Sequence, residues 1–116
     1  MADAVDQGWT GGRRAVGDIA PALAHYTDRV LFDEVRARPD LSARDRSLVT
    51  VAALVATGST EQLAFHLPFA RENGVSTGEL VEAITHLAFY AGWPKAMAAI
   101  AALRTALPAT EENNHD

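Results

Sequence analysis

Four histidines and no cysteine bound the side-chain chemistry open to this chain of 116 residues. Two of them, His66 in Leu63-Ala64-Phe65-His66-Leu67 and His86 in Ile84-Thr85-His86-Leu87, stand inside otherwise apolar runs. An imidazole titrates near neutrality, so in such surroundings it suits proton delivery or stabilisation of a developing oxyanion. His25, beside Tyr26, reads as a surface or subunit contact, and His115 as a solvated tail residue. Glu82 and Tyr90 lie one helical turn on either side of His86 and are candidates to orient it. Glu61 and His66, five residues apart, point about 140° from one another on a helix. With no HExxH spacing either, no metal site is expected. The lack of cysteine removes disulfides, thiolate metal ligands and a cysteine nucleophile together. No Gly-x-Ser-x-Gly occurs, and the glycines form no phosphate-cradling loop.

The elements that must position these groups are all helical. Asp18 and Pro21 open a first segment that Pro39 ends. Ser42 with Asp45, Ser59 with Gln62 and Ser76 with Glu79 have the spacing of capping boxes, and each begins a helix. Gly58, Asn73-Gly74 and Gly92 close those helices, and Pro94 enters a fifth that runs to about Leu107. The second helix (Leu48, Val49, Val51, Ala52, Leu54, Val55) is apolar nearly all round, as a central buried helix is. Leu80, Ile84, Leu87 and Ala91 form an apolar stripe on the fourth, with Glu82, His86 and Tyr90 on another side. The third and fourth helices are expected to pack antiparallel, bringing His66 and His86 to one pocket. Pro68 is expected to disturb the third helix. The resulting fold is all-α, five to six helices, with residues 1–16 as a mobile arm, 17–107 as the folded domain and 108–116 as a frayed tail.

Composition narrows the partners. Hydrophobic residues make up 48% and charged residues 22%, the balance of a globular chain. A net charge of −5 with no basic run argues against nucleic acid. Apolar runs are too short to span a bilayer, and no signal pattern opens the chain, so a cytoplasmic protein is expected. A folded body of about 90 residues has surplus apolar surface to bury. A homo-oligomer, trimer or hexamer, is therefore expected.

Four motifs, in this order, carry a resemblance. Asp45-Arg46-Ser47-Leu48-Val49-Thr50-Val51-Ala52-Ala53-Leu54, Thr60-Glu61-Gln62-Leu63-Ala64-Phe65-His66-Leu67, Glu72-Asn73-Gly74-Val75-Ser76 and His86-Leu87-Ala88-Phe89-Tyr90-Ala91-Gly92-Trp93-Pro94-Lys95-Ala96 resemble the carboxymuconolactone decarboxylase family. The branch of that superfamily similar to alkyl hydroperoxidase D uses Cys-x-x-Cys-x-x-x-His with an upstream glutamate. Here those positions are Ser59, Gln62 and Ser47, so thiol peroxidase chemistry is closed to the chain. The resemblance to the cysteine-free branch implies cofactor-free loss of CO2 from 4-carboxymuconolactone in aromatic degradation. There the electrons released can flow through a C=C bond into the lactone carbonyl. It implies His66 and His86 as catalytic residues and an oligomer as the working form. The family's His-Leu-Arg is His66-Leu67-Pro68 here, which removes a natural carboxylate clamp. Arg46, Arg71 and Lys95 are candidates to replace it, with Glu61, Tyr90 and Trp93 as further candidate substrate contacts. Two functions follow: a cofactor-free lyase on a small lactone or unsaturated acid, or an altered member that only binds a small ligand or serves assembly.

Overall fold

Serine and glycine punctuation places four of the helices almost to the residue. A computed structural model of the protein describes residues 8–107. Its helices are α1 (Gly11–Val16), α2 (Pro21–His25), α3 (Ala43–Thr57), α4 (Thr60–Glu72), α5 (Thr77–Ala91) and α6 (Trp93–Ala106). No strand occurs among the described residues. Ser42 caps α3 by accepting from the Asp45 N–H at 3.0 Å. Ser76 and Glu79 close a complete reciprocal box at the start of α5, at 3.0 Å in both directions. Gly58 ends α3 at φ 74°, a left-handed conformation that favours glycine. Ser59 makes no cap, because its hydroxyl is paired with that of Thr57 at 2.8 Å. Pro68 sits inside α4 without ending it. The carbonyl four residues earlier belongs to exposed Ala64, where water can replace the lost N–H.

The chain divides into two units, the second beginning at Ser42. In this unit α3 and α6 each pack against all three other helices, and Val51, Val55, Leu63, Leu67, Leu80, Ile84 and Leu103 form the core. The expected antiparallel pairing of the helices bearing His66 and His86 is not found. Though consecutive, α4 and α5 occupy opposite sides of the bundle, each laid on α3 and α6. Neither is α3 buried all round. It buries Ser47, Val51 and Val55 along one stripe and leaves Val49 exposed.

The first unit departs most from expectation. Part of the stretch expected as a mobile arm is helix α1; residues 1–7 and the tail from Pro108 lie outside the described residues. Asp18 caps nothing, because α2 starts with Ala20 as cap and Pro21 in its first turn. From Tyr26 to Val35 the helix continues in wide π form, seen where the Arg36 N–H bonds the Leu31 carbonyl at 2.8 Å. Buried Asp28 holds α1 in place by accepting the Gly12 and Arg13 N–H groups at 2.6 and 2.9 Å. A Cβ on Gly12 would stand 2.8 Å from both Asp28 Oδ1 and Thr27 Cβ, so only glycine allows this approach. Trp9 stacks on Phe32 at 4.1 Å and completes the unit. Among the described residues no helix is long and apolar enough to cross a membrane.

Candidate active site

Helical periodicity builds a groove where α3 and α5 lie side by side. Arg44, Leu48 and Ala52 recur every four residues on α3, with Val49 beside them. Glu79, Glu82, Ala83, His86 and Leu87 form the facing stripe of α5. Together they line an open groove of about 500 Å³. Its floor is apolar, from Leu48, Val49, Ala52, Ala83 and Leu87, and its polar groups are few. Arg44 forms ion pairs with Glu79 and, at 3.5 Å, with Asp45. The Ser76 backbone N–H foremost, and Arg44 with it, outweigh desolvation and hold the Glu79 carboxyl below its ordinary value. His86 is exposed, and its ring lies 5.0 Å from that of Tyr90. One groove thus offers a guanidinium, an imidazole and an apolar floor.

The sequence-derived residues divide around this groove. His86 lines it, the Tyr90 ring lies tilted against His86, and Glu82 shares the lining. His66 does not line it. It is half-buried on α4 with its Nδ1 enclosed, its ring 4.9 Å from Phe65 and 6.2 Å from Phe69. Arg71 donates to buried Thr77 at 2.5 Å, tying the end of α4 to the start of α5. Arg46 is half-buried on α3, and Glu61 is exposed near the start of α4. Trp93 packs edge-on against Phe89 at 5.1 Å. Lys95 is exposed, its stem lying over Gly58 at the end of α3. Ser47, at the position of the redox glutamate, is buried and accepts from the Asn73 side-chain amide at 2.9 Å.

Arg44 and Glu79 are the functional candidates missed in the sequence. Their signal was present: Arg44 is one and two turns ahead of Leu48 and Ala52, and Glu79 is in register with Ala83 and His86. Among the described residues no three histidine, aspartate or glutamate side chains group as a metal site requires.

The sequence pattern of the carboxymuconolactone decarboxylase family matches residues 21–105, from the first residue of α2 nearly to the end of α6. The chain is 39% identical to 4-carboxymuconolactone decarboxylase of Acinetobacter baylyi over 85 residues, 73% of this chain and 63% of that one. It is 35% identical to a nitrosuccinic acid decarboxylase of Metarhizium robertsii over 63 residues, 54% of this chain and 44% of that one. The matches thus span less than two thirds of either relative's length. A family pattern that embraces α2 to α5 and all but the last residue of α6 settles the affiliation: the chain belongs to the carboxymuconolactone decarboxylase family.

Proposed function

We propose that the protein is a cofactor-free carboxy-lyase acting on a small unsaturated carboxylic acid or lactone. The observation that carries this reading is that two relatives with different substrates are both decarboxylases. Reaction type is what they share. The α3–α5 groove supports it physically. A carboxylate laid on the apolar floor of Leu48, Ala52 and Leu87 loses hydration, which favours departure of neutral CO2. The C–C bond breaks, and its electron pair passes into the substrate's conjugated carbonyl as an enolate. Arg44 faces that developing negative charge. His86 then delivers a proton to carbon, with the Tyr90 ring tilted against it to fix its orientation. The substrate is its own electron sink, so the chemistry calls for no cofactor. His66, outside this groove, has its part in the packing of α4.

We further propose that the working form is a homo-oligomer, a trimer or hexamer. The first unit leaves Ile19, Leu23 and Tyr26 exposed, and the second exposes Phe89, Trp93 and Met97 at four-residue steps. Turnover tests the function. The purified protein is expected to consume 4-carboxymuconolactone or a related unsaturated acid, followed by loss of ultraviolet absorbance. Saturable binding across such a panel without consumption would instead favour the ligand-binding alternative, for which the Arg44–Glu79 pairing speaks.

A further inference from the structure

A second cavity lies wholly within the first unit. It is lined by Thr10, Arg13, Gly17, Pro21, Ala24, His25, Asp28 and Arg29 and measures about 390 Å³. It sits where α2 gives way to the π-helical stretch, at His25 and Tyr26. Ten residues of π-helix are an uncommon and poorly packed backbone, and such irregularities gather at functional sites. The polar groups around the cavity are unevenly spent. Both Asp28 oxygens already accept backbone N–H groups. Arg13 gives its backbone N–H to Asp28, while its exposed guanidinium has no hydrogen bond or ion pair among the described residues. Among the described residues the His25 ring meets that of Tyr26 edge-on at 5.7 Å and has no hydrogen bond. The Thr10 hydroxyl accepts from Arg14, which leaves its own proton to give. Arg29 is engaged by Asp33 at 2.9 Å and by the Trp9 carbonyl.

What remains unspent is therefore almost entirely donor capacity. The lining holds two guanidinium groups, Arg13 and Arg29, against the single carboxylate of Asp28, in a chain of net charge −5. We propose that this cavity binds a small oxyanion, a carboxylate or a phosphate, gripped by Arg13 with Thr10 and His25. Thr10 and Arg13, two of the three gripping residues, precede the span that matches the family pattern.

Titration of the full-length protein with sodium phosphate and with sodium succinate, against sodium chloride at equal ionic strength, tests the site. Amide and imidazole resonances report the binding. Saturable shifts are expected at Gly12, Arg13, Gly17 and His25, with the His86 ring unmoved. A stronger response to phosphate or to succinate then identifies which oxyanion the site takes. Arg13→Gln should weaken that binding at least about tenfold, since a charge-assisted fork is lost. It leaves the backbone bond to Asp28 in place, and an unchanged melting temperature checks that the unit stays folded. Thr10→Val, which alters neither guanidinium, should weaken binding by a smaller factor. Shifts that follow chloride equally, the absence of saturation with both oxyanions, or parental binding by folded Arg13→Gln would overturn the proposal.

Discussion

Because His86 is exposed, truncating it removes little packing, whereas His66 is half-buried between Phe65 and Phe69. His86→Ala should therefore leave stability within about 0.5 kcal/mol of the parent. Turnover should fall by at least about a hundredfold, the usual contribution of a positioned proton donor. His86→Gln should recover little, since an amide donates a hydrogen bond but does not exchange a proton near neutrality. His66→Ala should do the reverse, lowering stability by about 1–3 kcal/mol while turnover per folded molecule stays within a few-fold. Thermal melts and steady-state rates on the same samples separate the two effects. The opposite pattern would move the site to α4. Both histidines were legible in the sequence because a titratable ring inside an apolar run stands out. The register of Arg44 and Glu79 with the groove residues is legible too, but their role is not, because the cap already explains a glutamate at position 79. Their pairing also joins residues 35 apart, through a helix crossing that no local spacing encodes.

At the scale of elements, the start of α5 joins folding to the groove, since Glu79 completes the capping box and also faces Arg44. Ser76→Ala should cost about 1 kcal/mol through loss of the cap, read from denaturant unfolding. The pH dependence has a definite sign. The Glu79 carboxyl is held below its ordinary value of 4.5 in the folded protein, by the Ser76 N–H first and Arg44 after it. Its contribution is therefore present above that value and is lost as the pH falls through the lower, folded one. The melting temperature of Glu79→Gln should accordingly decline less than the parent's between about pH 5 and pH 3, because glutamine has no such proton to gain. An equal decline in both proteins would remove Glu79 from the acid response. Four helices, α3 to α6, could be read from Ser, Gly and Pro punctuation because caps are local chemistry. Helix α1 could not, as its six residues depend on Asp28, more than ten positions away. The π-helical stretch was equally hidden, since the 3.6-residue period does not distinguish it. Sequence adjacency also misled for α4 and α5, which share α3 and α6 as neighbours rather than each other.

For the whole molecule, the distribution of apolar surface argues for assembly. Phe89, Trp93 and Met97 are 74%, 56% and 62% exposed, and they recur at helical spacing across the α5–α6 junction. In the first unit Ile19 is 82% exposed. Light scattering should give a mass three or six times 12.4 kDa, and Met97→Glu should shift it downward. A parental mass of one chain at micromolar concentration would contradict the assembly. The proposed reaction is the loss of CO2 from a small unsaturated acid, carried by the protein's own side chains alone. Its most direct test is CO2 released from 4-carboxymuconolactone by protein dialysed exhaustively against a chelator, with nothing added back. One CO2 per substrate consumed is expected, at a rate the chelator does not alter, and its loss in His86→Ala. Substrate consumption without CO2, or activity that returns only when a metal ion is restored, would contradict it.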